Sequence, residues 1–335
     1  MLDGPASVVS ASSAAAAAPP PPSSTVASAE TTEKDVDPIK IVFSDLDGTL
    51  IHYPSEKRNI TSKLLKFPPS STGKIGVISK KTLSLVDQIR NKDNVKFVLI
   101  SGMRTSTLLQ RLPYLPKADA YCSENGGRIF YPVKDLEDDD GSNWDMVNDD
   151  VFWVQPKEVE SGDPNRNKPF GIREDKVWRE KMTKAIGGDS FGPSSLLDIY
   201  IDHEDPELTS LPLNERDGLL WDFARDLIDN HGLVLDTKGY STCFRFNKKQ
   251  QTSDDVLDIA PSEILELLDG PLWNENKASI ASSVNLNCVD FYPSFSGKKN
   301  WYVKTVSLYY VFFVLPCRIF YGLLTYFDCM VSSFD

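Results

Sequence analysis

Two aspartates, Asp45 and Asp47, stand in the stretch IVFSDLDGTL directly after a run of apolar residues. Acids at the end of a buried stretch are rarely there for packing. On a strand, residues two apart point to the same side, so the pair would project together from the carboxyl edge with Leu46 turned away. That edge is where open α/β sheets bind ligands. Gly48 and Thr49 follow, and glycine lets the chain turn there. Two carboxylates so placed supply a nucleophile, an acid/base group two residues later, and a negative locus for a magnesium ion.

The elements that must carry them are legible around the pair. IKIVFSD and VKFVLIS read as buried parallel strands, and KKTLSLVDQIRNK places Leu83, Leu85, Val86 and Ile89 at helical spacing. LLQRL after Thr105 suggests a second helix, and ADAYCSENGGRIFYP a strand, a turn and a strand. Strand, helix, strand, helix, strand predicts a doubly wound α/β sheet. Beyond residue 151 a second alternation follows: PFGIRE, the helical EDKVWREKMTKAIG, the strand-like SLLDIYID, the helical ERDGLLWDFARDLIDNHG, then LVLDTKGYSTCFRFNKK. This order predicts an inserted α+β domain.

Composition narrows the function classes. A hydrophobic share of 41% suffices for a real core, and a net charge of -12 argues against broad nucleic-acid binding, which needs a basic surface. An acidic protein acting on an anion needs a cation or local basic groups. Cys122, Cys243, Cys288, Cys317 and Cys329 are scattered without a paired spacing and read as reduced thiols. His52, His203 and His231 lie too far apart in sequence to suggest a metal cluster. Residues 1–37, rich in Ala, Ser and Pro, have almost nothing to bury and read as a disordered tail or linker, with an organelle address as the alternative. The acidic run 135–150 reads as a solvated loop, because counting back from Gly141 puts Leu136 where a calcium loop needs its first ligand.

DLDGTL resembles the first motif of the haloacid dehalogenase-like phosphohydrolases. VLISGMR, ending its strand at Ser101, is similar to the second motif, and FSGKKNWYV to the third, which carries a lysine. SENGG is similar to the segment leading into the cap of the C2-capped subfamily IIB, which holds sucrose-phosphate phosphatases, Cof-type sugar phosphatases and eukaryotic phosphomannomutases. The resemblance implies a Rossmann-like core with a C2-type cap: core residues 38–130, cap 131–285, core again 286–304, then an atypical hydrophobic tail, 305–335. It implies attack of Asp45 on phosphorus to give an aspartyl-phosphate, with Asp47 as proton donor and then base. It implies phosphate binding by Thr49, Ser101, Gly102 and Lys298, helped by backbone N–H groups at the following helix start, with Lys299 as the register alternative for the lysine. Mg2+ would bind a carboxylate oxygen of Asp45 and the backbone carbonyl of Asp47. Within the cap, Arg245, Lys248 and Lys249 are candidates for a sugar or a second anionic group, against the plainer reading of a strand with a solvated basic face.

The pattern departs from the family after Lys298. No G-D-x-x-N-D segment follows to supply the remaining metal carboxylate, Asp328 is the nearest substitute, and fewer residues follow than the family's last strands and helices take. The tail is aromatic-rich with one basic residue, Arg318, and Pro316 beside it. It reads as a membrane anchor interrupted by a charge, as sequence foreign to the fold, or as a buried strand and helix. The leading function is a magnesium-dependent phosphatase of a small phosphorylated metabolite such as a sugar phosphate. A phosphomutase and a non-catalytic protein lacking the fourth motif are the alternatives. Nucleic acid is not an expected partner, and the cytoplasm is the expected location unless the tail or an N-terminal address directs otherwise.

Overall fold

The computed structural model describes residues 40–54, 61–69, 74–92, 95–133, 151–159, 163–188, 191–192, 195–205, 208–247, 249–251, 256–258, 278–285, 288–297 and 312–314. The tail 1–37, the acidic run 135–150, Lys248, Lys298, Lys299, Pro316, Arg318 and Asp328 lie outside the described residues.

Strand β1 (Lys40–Asp45) is followed by a hairpin of β2 (Leu64–Pro69) and β3 (Ile75–Ser79), helix α1 (Lys80–Arg90) and β4 (Val95–Ile100). Helix α2 (Thr105–Arg111), β5 (Ala120–Ser123), β6 (Arg128–Pro132), β7 (Phe152–Val154) and β8 (Phe170–Glu174) come next. The second half holds α3 (Lys176–Ile186), α4 (Leu196–Ile201), α5 (Leu219–Asp229), β9 (Leu235–Asp236), β10 (Phe244–Asn247), β11 (Lys249–Gln251) and β12 (Val256–Asp258). Strands β13 (Ile280–Asn285), β14 (Cys288–Pro293) and β15 (Phe312–Val314) close the order.

A seven-stranded sheet runs β15-β1-β4-β5-β6-β8-β7. Its first four strands are parallel and the pairings from β5 onward antiparallel. This is the expected α/β architecture with a parallel core. Side-chain alternation builds its two faces: Phe97, Leu99 and Tyr121 pack with Leu83 and Val86 of α1 and Leu108 and Leu109 of α2. Val98, Ile100, Ala120 and Cys122 turn to the other face, against Trp178 of α3. Helix α1 starts where Ser79 Oγ accepts the Lys81 N–H, and Arg90 occupies its last turn, where a cation suits the helix dipole.

The second layer is an antiparallel sheet, β13-β14-β10-β9. Helices α3 and α5 cover it, with Met182, Ile186, Trp221 and Phe223 against Phe244, Phe246, Val289 and Phe291. The end of α3 touches the start of α5 backbone to backbone. A Cβ on Gly218 would lie 2.1 Å from the Ile186 carbonyl oxygen, and its φ of 104° is one that other residues rarely adopt. The boundary expected between 285 and 286 falls inside the β13–β14 hairpin, so both strands belong to this sheet.

One sequence expectation is corrected, one element was not foreseen, and one alternative is partly met. SLLDIYID is a helix, α4, rather than a strand: Ser195 Oγ accepts the N–H groups of Leu197 and Asp198, and Leu196 and Ile199, three apart, are the buried side. The β2–β3 hairpin was not anticipated, because Pro68 and Pro69 break the apolar pattern that would have marked it. Part of the hydrophobic tail, Phe312–Val314, is a strand pairing parallel with β1. Among the described residues no helix is long and apolar enough to cross a membrane.

Candidate active site

Asp45 is the last residue of β1 and pairs in register with Ile100, the last residue of β4. Ser101 is therefore the next residue out on the neighbouring strand. Adjacent strands lie about 4.8 Å apart, so a carboxylate and a hydroxyl-bearing residue share the carboxyl edge of the parallel core. Ser101 is 1% exposed; its N–H donates to the Cys122 carbonyl at 2.9 Å, and its Oγ accepts the Met103 N–H at 3.3 Å.

The chain leaves β1 through a tight turn. The Leu46 carbonyl accepts the N–H groups of Thr49, Leu50 and Ile51 at 3.3, 3.0 and 2.8 Å. Gly48 sits at φ 80° and donates to the Ile51 carbonyl. Leu46, Leu50 and Ile51 are buried and hold the turn down, and Thr49 is buried with them.

Strand β1 ends at Asp45, so Asp47 lies in this turn rather than on the strand. Asp45 Oδ1 accepts the Leu46 N–H at 2.8 Å. Asp47 is directed to the C-terminal end of α2, where its Oδ1 accepts from Arg111 Nη1 at 2.9 Å and from the Tyr53 hydroxyl at 2.7 Å. Arg111 Nη2 donates to the same hydroxyl at 2.9 Å. Burial pushes the Tyr53 pKa up to about 12, the opposing pulls of Arg111 and Asp47 being smaller, so the phenol stays protonated and can donate.

The ends of β4 and β5 are roofed by the second sheet. Glu124 and Asn125 follow β5 with φ of 52° and 58°, a left-handed pair rare outside glycine. Glu124 is 1% exposed, and its Oε2 accepts from the Ser241 and Thr242 N–H groups and from both hydroxyls at 2.8–3.1 Å. Its Oε1 accepts from Thr105 Oγ1 at 2.8 Å. Arg104 reaches Asp236 at 2.6 Å. These anchors were missed as functional candidates; the signal available was an acid, Glu124, between apolar strands.

The remaining candidates divide. Gly102 is buried with its neighbour, and a Cβ there would meet Asn125 Oδ1 and Asp290 Oδ2 at 3.0 Å each. Arg245 is brought to this loop, yet it is committed: its Nε lies 2.6 Å from Asp290 Oδ1, and its Nη2 donates to the Gly102 carbonyl. Burial opposes the Arg245 charge, but Tyr240 and Asp290 outweigh it and hold the pKa above the ordinary value. Cys122, Cys243 and Cys288 are buried, and burial raises each thiol pKa. Among the described residues no group of three or more His, Cys, Asp and Glu is gathered as a metal cage.

A cleft of about 900 Å³ runs along α2 from Arg104 to Arg111, walled opposite by Trp153, Gln155, Lys157 and Tyr200. Small-molecule sites commonly fall in this size range.

No family model and no curated protein matches the chain. Among solved structures it is similar to the sucrose-phosphatase of Synechocystis in complex with sucrose and phosphate, at 12% identity and a TM-score of 0.40, covering 81% of this chain and 70% of that one. It is also similar to the trehalose-6-phosphate phosphatase of Aspergillus fumigatus, at 11% identity and a TM-score of 0.31, covering 81% and 67%.

Proposed function

We propose that the protein is a magnesium-dependent phosphatase of the haloacid dehalogenase type, acting on a small phosphorylated metabolite such as a sugar phosphate. The observation that carries this reading is the register of β1 and β4, which sets Asp45 beside Ser101 at the carboxyl edge of a parallel sheet. Asp45 attacks phosphorus, the ester oxygen leaves with a proton from Asp47, and water activated by Asp47 then releases phosphate from the acyl-phosphate. Among the described residues both side-chain contacts of Asp47 fall on Oδ1, and Oδ2 would serve the proton transfers. Thr49, Ser101, Gly102 and Lys298 hold the phosphoryl oxygens, and the second sheet with its helices is the lid. The α2 cleft, which shares Arg111 with the Asp47 contact, takes the body of the substrate.

Magnesium fits this donor set in a limited way. One carboxylate, Asp45, and the Asp47 carbonyl suit an ion that keeps several waters and takes the rest of its shell from substrate phosphate. When bound, the ion offsets charge on the phosphoryl group.

The test is phosphate release from a panel of sugar phosphates and p-nitrophenyl phosphate, for the wild type and Asp45→Asn. Release that is lost with EDTA, restored by Mg2+ and absent in Asp45→Asn is the expected result. Release that survives in Asp45→Asn refutes the mechanism. A second reading, a non-catalytic protein of the same fold, is favoured by the Arg111 contact on Asp47. No release from folded wild type would support it.

A further inference from the structure

The Ser101–Gly102 segment is gripped at both of its carbonyls. The Ser101 carbonyl accepts the Asn125 N–H at 2.9 Å, and the Gly102 carbonyl accepts Arg245 Nη2 at 3.2 Å. Arg245 is itself held as a fork, Nε to Asp290 Oδ1 at 2.6 Å and Nη2 to Oδ2 at 3.1 Å. Asp290, 1% exposed, also accepts from Asn125 Nδ2 at 3.2 Å, and so joins the two grips. Asn125, which serves both, has its backbone in the left-handed conformation, with φ 58°.

A trans peptide places the N–H of the next residue opposite the carbonyl. Pinning these two carbonyls toward Asn125 and Arg245 turns the Gly102 and Met103 N–H groups to the other side. There the Met103 N–H meets Ser101 Oγ at 3.3 Å. Freeing Arg245 to meet a substrate anion would strand the buried Asp290 carboxylate, which is strongly unfavourable.

We infer that Arg245 and Asp290 are positioning residues that set the Ser101–Gly102 loop from the second sheet, and that Arg245 is not a substrate contact. The inference rests on the reading of that loop as the phosphoryl site. It makes the second sheet part of the loop's construction, so that specificity for the ester and shape of the loop are handled by different residues.

The experiment uses Arg245→Ala and Arg245→Lys in the full chain, with two readouts. Amide hydrogen exchange needs no activity: the Asn125 and Glu124 N–H groups, bound to the Ser101 and Met103 carbonyls, exchange about tenfold faster in Arg245→Ala, the scale of one lost charge-assisted hydrogen bond. Arg245→Lys keeps the charge but not the fork, and gives the same direction of change in a chain that retains its ion pair. In steady-state kinetics kcat falls on the order of 100-fold, equally for glucose 6-phosphate and p-nitrophenyl phosphate, with KM little changed, and added guanidinium restores part of the loss. Unchanged exchange overturns the inference whether or not the protein is a phosphatase. A loss confined to the sugar phosphate and expressed in KM makes Arg245 a substrate contact and overturns it as well. Failure of the wild type to release phosphate overturns the phosphatase reading alone, and the exchange result still decides the positioning role.

Discussion

Replacing Glu124 tests the join between the two layers, and two substitutions separate its charge from its hydrogen bonds. In Glu124→Ala the Ser241 and Thr242 N–H groups lose their shared acceptor inside the protein. A stranded buried donor costs about 1–3 kcal/mol, so the two together cost about 2–6 kcal/mol. The hydroxyls of Thr105, Ser241 and Thr242 can rotate and add little. Glu124→Gln behaves differently. Its amide oxygen can occupy the Oε2 place and keep both backbone donors, while its NH2 faces Thr105 Oγ1, which lies 2.8 Å from Ser123 Oγ and can donate there instead. Only the charge assistance is lost, about 1–2 kcal/mol. Urea unfolding followed by tryptophan fluorescence, with Trp221 fully buried as a reporter, measures both. The reasoning is refuted if the two variants lose equal stability, or if Glu124→Ala loses less than about 1 kcal/mol.

Tyr53→Phe removes the hydroxyl between Asp47 and Arg111 and should cost about 0.5–1.5 kcal/mol in the same unfolding assay; a more stable variant would show that the hydroxyl contributes nothing. Burial lowers the Lys117 pKa from 10.5 to about 8 while its amine donates to the Asn165 and Lys168 carbonyls. Between pH 8 and 10.5 the unfolded chain holds this proton and the folded chain does not, so stability rises with pH across that window. Lys117→Met should flatten the rise, and an identical pH profile for variant and wild type would count against it.

How much was legible depended on whether a residue's role was local. The strands at Lys40–Asp45 and Val95–Ile100 and helix α1 announce themselves, because hydrophobic burial writes its period into neighbouring residues. Helix α4 misleads because LLDIYI is rich in branched residues that suit a strand equally well, and only the Ser195 cap and its packing decide it. Asp45 and Ser101 could be nominated from short motifs, and the strand register brings them to one edge. The course of Asp47 could not, because the turn after Leu46 and the guanidinium of Arg111 are set by tertiary contacts. Likewise the sequence of β10 offers Arg245 as an exposed cation. Its partner Asp290 comes from β14, beyond the reach of any local pattern.

The pairing of β1 with β15 has a temporal side. Ile41 lies opposite Phe312, so one edge of β1 waits for a segment made long after β1 itself. At about 5–20 residues per second, that edge stays open for roughly a quarter of a minute to a minute on the ribosome. During that interval β1 can already pair with β4 on its other side. Its open side then presents unpaired backbone donors and acceptors flanked by Ile41 and Phe43, a template that any extended chain can copy. The nascent protein therefore passes through a stage in which β1 is paired on one side and open on the other, and chaperone demand should peak just before residue 312 leaves the exit tunnel.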